Sequence, residues 1–231
     1  MEEPLLLLPG MMCDARLYGP QIAHFSSSRP VMVMSLTGHQ SFASLAEAIL
    51  DQAPPRFALA GLSMGGICAM EIIRHAPNRV SRLALMDTNP LPDPPERAEI
   101  RQSQVERVMA GDLREVIRDE MKPNYLADTP RKREVLDLCM EMALTLGPKV
   151  FADQSQALMH RPDQCETLKK INVPTLILCG RSDRLCPLER HTLMQSLIDG
   201  SRLVVIEEAG HLPTLEQPQE TIGLLEEWLQ N

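Results

Sequence analysis

The chain has 231 residues, 44% hydrophobic and 23% charged, a balance that fits a soluble globular protein with one sizeable core. Its formal net charge of −8 argues against nucleic acid or an anionic membrane surface as a partner. The six cysteines, at 13, 68, 139, 165, 179 and 186, form no C-x-x-C pair and have no histidine cluster beside them, so no metal is expected, and reduced thiols in a cytoplasmic protein are.

The opening MEEPLLLLPG has an apolar run too short, and with the wrong flanking charge, for a signal peptide, and no stretch approaches a membrane span. Pro4 to Leu8 reads as a buried strand stopped by Pro9-Gly10. Asp14 is placed to cap a helix over 15–25 with Leu17, Ile22 and Phe25 inward. Val31 to Leu36 reads as a second strand, and Phe42 to Gln52 as a helix with Leu45, Ala46, Ile49 and Leu50 on one face. Phe57 to Leu62 is another apolar run that turns abruptly into a helical pattern reaching His75, and Val80 to Met86 is the next strand. Strands and helices alternating with short connections define a parallel sheet covered by helices on both faces.

The pattern changes after Met86. Asn89 to Pro95 contains four prolines in seven residues, and from Glu96 to about Met159 the periodicity is helical throughout. Ile100, Val105 and Val108 fit one helix; Leu113, Val116, Ile117 and Met121 a second; Val135, Leu138, Cys139, Met142 and Leu146 a third; 150–159 a fourth. Residues 90–163 are therefore expected to be a helical cap inserted into an α/β core of 1–89 and 164–231. The βα rhythm resumes with a strand at Thr175 to Cys179, a helix at Leu188 to Ile198, a strand at Leu203 to Ile206 and a closing helix at Glu220 to Leu229.

Catalysis in an open parallel sheet gathers at the carboxyl ends of the strands, and three loops there carry the required side chains. Ser63 stands at the apex of a strand-to-helix turn, G-L-S-M-G, the sequence of a nucleophile elbow. Such a turn forces the serine backbone into a sparsely populated conformation, and the flanking glycines remove Cβ atoms that would crowd it. Asp183 lies in the polar loop after the strand ending at Cys179, and His211 in the loop after the strand ending at Ile206. Asp87, at the end of another strand, is the rival acid. His24, His75, His160 and His191 lie on or beside helices and are read as solvated or packed, whereas His39 occupies a loop from which a pocket could be reached.

The order Ser, Asp, His is that of the α/β-hydrolase superfamily, and the chain resembles it over nearly its whole length. The resemblance rests on GLSMGG at 61–66, GRSDRLCP at 180–187 and AGHLPTLEQP at 209–218, with LLLLPGMM at 5–12 similar to the family's oxyanion strand and RVSRLALMDTNP at 79–90 to its next strand and cap entry. Two departures stand out: Pro9-Gly10 replaces the frequent His-Gly, and no hairpin precedes the first strand. The resemblance implies Ser63 as nucleophile, His211 as base and Asp183 as its orienting acid, with the backbone N–H groups of Met64 and Met11 as oxyanion donors. Met12, His39 and Arg161 are the candidate substrate contacts, Arg161 for a carboxylate. The motifs look most similar to small carboxylesterases and enol-lactonases, so a small ester or lactone substrate, an acyl-enzyme and no cofactor are expected. C–C bond hydrolases and thioesterases share the same triad, and some members of the fold only bind ligands or run cofactor-free oxygen or peroxide chemistry. Scarce aromatics and 14 methionines suggest aliphatic rather than charged groups in the pocket.

Overall fold

The structure, a computed structural model, describes residues 2–230. Six strands form one sheet: β1 (Leu5–Leu8), β2 (Val31–Val33), β3 (Phe57–Leu62), β4 (Val80–Met86), β5 (Thr175–Gly180) and β6 (Arg202–Ile206). Their order is β2-β1-β3-β4-β5-β6 and every pairing is parallel, as the βα rhythm requires. Alternate residues enter opposite layers. Leu6, Leu8, Leu59, Leu83 and Ile177 face one, and Leu5, Leu7, Ala58, Ala84 and Leu176 the other. All four leucines of β1 are fully buried, each contributing about 2 kcal/mol of transfer free energy.

The first layer is closed by helices that come after β2, β3 and β5, the second by those at the two ends of the chain. In chain order they include α1 (Gly19–Phe25), α2 (Phe42–Gln52) and α3 (Met64–His75). The expected helix over 15–25 starts as a tight 3-10 turn, Ala15–Tyr18, capped by the Asp14 carboxylate on Arg16 N–H at 2.9 Å. Pro20 sets the start of the α-helical part, because its ring has no N–H to give an earlier turn. Strand β2 ends at Val33, short of the expected Leu36. Beyond it the Leu36 carbonyl accepts a hydrogen bond from the Gln154 amide at 2.9 Å instead of pairing in the sheet.

After β4 the chain is helical and contains no strand until β5. It comprises α4 (Pro95–Arg107), a wide turn with Gly111 at φ 118°, α5 (Leu113–Val116) and the long α6 (Lys132–Met159). Gly147, at φ 81° and ψ 176°, breaks α6 just before Pro148, so its two halves are the third and fourth expected helices. Ile100, expected inward, is 47% exposed on α4. The segment is tied at its neck, where Gln164 N–H donates to the Pro90 carbonyl at 2.9 Å. Val108, Val116, Ile117 and Phe151 pack around Met12 from the loop after β1. A short α7 (Cys165–Leu168), unforeseen by periodicity, is started by the Asp163 carboxylate accepting Cys165 N–H. Then come α8 (Leu188–Leu197), α9 (Pro213–Glu216) and α10 (Pro218–Gln230). Among the described residues, no helix is long and apolar enough to cross a membrane.

Candidate active site

Among the described residues, three non-glycine residues have positive φ: Met12 at 56°, Ser63 at 56° and Asp87 at 44°. All three stand just past the carboxyl ends of neighbouring strands β1, β3 and β4, and each costs about 1–3 kcal/mol that the surrounding packing must offset. Such strain held at one edge of a sheet marks that edge as a site. At Ser63 it comes from the turn between β3 and α3. A Cβ on Gly61 would run into the Gly65 backbone, and one on Gly65 into the Leu8 carbonyl. The serine apex is pinned from the loop after β4, where Thr88 Oγ1 donates to the Ser63 carbonyl at 2.7 Å. Thr88 also fills the space at Gly66, which explains why a third small residue comes after the turn.

His211 Nε2 lies 2.9 Å from Ser63 Oγ, and its Nδ1 lies 2.8 Å from Asp183 Oδ2. The other oxygen of Asp183 accepts N–H donations from Leu185 at 2.8 Å and Cys186 at 3.0 Å. Burial works against charge on this carboxyl, but His211 and these backbone donors outweigh it and hold the group below the ordinary carboxylate range. An ionised Asp183 can only accept, so Nδ1 carries the imidazole proton and Nε2 presents its lone pair to the serine hydroxyl.

Asp87 is fully buried beside this pair without contacting the histidine. Its Oδ1 accepts Gly180 N–H at 2.8 Å, and its Oδ2 has no hydrogen-bond partner among the described residues. Burial first, and then the charge of Asp183, push its pKa well above the ordinary carboxylate range. The geometry thus selects Asp183 over Asp87 as the partner of His211.

Three polar residues that periodicity did not single out hold the loops in place. Gln154 of α6, 1% exposed, accepts Met12 N–H at 2.9 Å and thereby fixes the turn after β1. Glu216, in α9, accepts N–H donations from Gly210, Leu212 and Ala127 at 2.8–3.0 Å, clamping the His211 loop from both sides. His191, fully buried on α8, accepts Thr88 N–H at Nε2 (3.2 Å) and places Nδ1 3.3 Å from the Pro187 carbonyl. It joins the loop carrying Asp183 to the residue that pins Ser63. Burial depresses its pKa from 6.5 to about 4, so it is neutral at ordinary pH. Of the three, only Glu216 lies within a motif quoted from the sequence, AGHLPTLEQP, and none shows a helical or strand spacing that would mark it.

A cavity of about 680 Å³ opens over Ser63 and His211. Met11 and Met64 line it beside Gly10. The Met11 N–H makes no hydrogen bond among the described residues, and Met64 begins α3, where N–H groups have no intrahelical acceptor. Arg161 lines the cavity, whereas Met12 packs inward among the helices at 2% exposure and His39 stands outside the lining, near Asp153. Burial pushes the Cys13 and Cys186 thiols well up, so neither is a ready thiolate. Among the described residues, two clusters hold ligand-type atoms within 4.8 Å of one another, Asp87-Cys179-His191 and Asp183-Cys186-His211. In both the imidazole nitrogens are already engaged, by Thr88 and Pro187 in the first and by Ser63 and Asp183 in the second.

A parallel sheet of this order with a strained serine turn after its third strand is the architecture of the α/β hydrolases. A profile described as the alpha/beta hydrolase family matches residues 5–224, and the chain belongs to that family. It is similar to the pimeloyl-(acyl-carrier protein) methyl ester esterase of Legionella pneumophila strain Corby, 26% identical over 98% of this chain and 95% of the relative. The corresponding esterase of Aliivibrio salmonicida is 27% identical over 98% and 92%. Among solved structures, a thermophilic esterase from Thermogutta terrifontis superposes with a TM-score of 0.90 at 29% identity, covering 100% of this chain and 90% of that one. The enol-lactonase of Burkholderia xenovorans LB400 shares the fold, with a TM-score of 0.90 at 20% identity and coverage of 100% and 92%.

Proposed function

We propose that this chain is a serine hydrolase that cleaves a small carboxylic ester through an acyl-enzyme. The observation that carries this reading is the unbroken Asp183–His211–Ser63 hydrogen-bonded chain at the floor of a cavity. Relatives named as esterases support the ester as the bond cleaved.

Ser63 Oγ attacks the acyl carbon as its proton passes to His211 Nε2. Asp183 keeps the imidazole in the tautomer that receives it and stabilises the imidazolium. Negative charge moves to the carbonyl oxygen, where the N–H groups of Met11 and Met64 are the donors. The imidazolium then protonates the leaving alkoxide, and a water, deprotonated by the same nitrogen, releases the acid and restores Ser63. Residues 90–163 act as the cap, covering the cavity and setting which acyl and alkyl groups enter.

The test is hydrolysis of p-nitrophenyl esters of graded acyl length by wild type and Ser63→Ala. Turnover with a length optimum, lost in the variant, supports the reading. Turnover that survives Ser63→Ala overturns it.

A further inference from the structure

The protein carries a net charge of −8, yet the cavity over Ser63 is lined by five arginines, Arg97, Arg101, Arg161, Arg184 and Arg190, against one carboxylate, Asp93. The Asp93 side chain is nearly fully buried and shared: Arg101 Nε donates to one oxygen at 2.6 Å, and Arg161 lies 2.9 Å from the other. One negative charge therefore serves two guanidiniums, and the surplus is not met elsewhere. Arg161, 9% exposed, leaves its Nε without a hydrogen-bond partner. The side chains of Arg97, Arg184 and Arg190 form no ion pair among the described residues. Burial depresses the guanidinium pKa of Arg161; Asp93 opposes the shift and Arg101 adds to it.

A concave surface of one sign within a protein of the opposite sign concentrates small ions of the complementary charge. Guanidinium forks match carboxylate and phosphate oxygens in particular. We infer that the substrate bears an anionic group, a carboxylate or a phosphate, apart from the scissile ester, and that Arg97 and Arg161, beside Asp93 at the entry to the helical segment, hold it. This rests on the ester-hydrolase reading and gives its substrate a charge, in place of the purely aliphatic group expected from composition. Arg184 and Arg190, from the loop after Asp183 and from α8, face the same space and supply attraction from across the cavity.

Matched substrates decide the matter: mono-p-nitrophenyl glutarate and adipate beside p-nitrophenyl valerate and hexanoate. The expected result is a kcat/KM preference for the anionic member of about tenfold or more, residing in KM and eroded by salt. Arg97→Gln, at an exposed position that tolerates the change, lowers that preference about tenfold, and Arg161→Gln does the same where it folds. Free glutarate and inorganic phosphate, tested as competitive inhibitors, tell a carboxylate seat from a phosphate seat. Equal turnover of both members, with the ratio unmoved in Arg97→Gln, overturns the inference and leaves the esterase reading standing. If no ester is cleaved the ester reading falls, and thermal protection by glutarate or phosphate then judges the anion site. Protection of the wild type that Arg97→Gln loses upholds the site, and its absence in the wild type refutes it.

Discussion

Acid stability should report His191. The imidazole is fully buried, accepts Thr88 N–H, and has its pKa depressed by burial from 6.5 to about 4. Between those two values the unfolded chain binds a proton at this histidine and the native protein does not, so stability rises with pH by about 1.4 kcal/mol per unit. Over the whole window this amounts to about 3 kcal/mol, fully present above pH 6.5 and lost as the pH falls toward 4. Asp87 acts in the opposite sense: its pKa is raised in the native state above the unfolded 3.8, so it favours the native state as pH falls. Glu216, whose carboxyl pKa burial also raises, adds to the Asp87 slope, so the wild-type profile alone mixes opposing contributions. The difference between wild type and His191→Gln, whose amide oxygen can still accept from Thr88, cancels the contributions of both carboxyls. Urea unfolding at a series of pH values should show that difference changing by about 3 kcal/mol from pH 6.5 to 4 and flat above it. Asp183, whose pKa is lowered, enters only below this window. A difference independent of pH would refute the claim that His191 is buried and neutral.

Other perturbations separate the roles assigned around the triad. Asp183→Asn should reduce kcat by about four orders of magnitude through the wrong histidine tautomer, measured on any accepted ester. Asp87→Asn, which keeps an acceptor for the Gly180 N–H, should stay within about tenfold of wild type, and a larger loss would make Asp87 the working acid. Glu216→Ala leaves the N–H groups of Gly210, Leu212 and Ala127 without their shared acceptor, so the His211 loop should loosen and kcat fall by about 10–100-fold with the melting temperature also lowered. Gly65→Ala should fail to give folded protein or should lose activity outright, since its Cβ would enter the Leu8 carbonyl; circular dichroism and ester turnover distinguish the two.

The sheet and the meeting of Ser63, Asp183 and His211 were legible because each rests on a local signal. Apolar runs give buried parallel strands, and the carboxyl ends of those strands converge whatever the packing between them. The end of β2 was not legible, because it is set by Gln154, which lies far away in sequence on α6. The same glutamine holds the turn after β1, so its function exists only once two distant segments meet. Met12 and His39 sit in the loops from which a pocket is reached, but side-chain direction sends Met12 into the packing against Val116 and Phe151 and leaves His39 outside the lining. The cationic cavity is the largest feature hidden from composition. Its arginines come from α4, the segment just after α6, the loop after β5 and α8, and they stand in a chain whose overall charge has the opposite sign. The break at Gly147-Pro148 lies where proline chemistry places it, and Gly111 turns the chain between the first two expected helices, Val108 and Leu113 standing on either side.

The most direct test of the central claim is to locate the covalent intermediate. The wild-type protein is treated with a fluorophosphonate probe, digested and read by mass spectrometry beside His211→Ala. The account predicts a single phosphonylated serine, Ser63, and labelling slowed by orders of magnitude when the imidazole that takes its proton is removed. Labelling elsewhere, or at Ser63 with undiminished rate in His211→Ala, would contradict an activated serine at this turn.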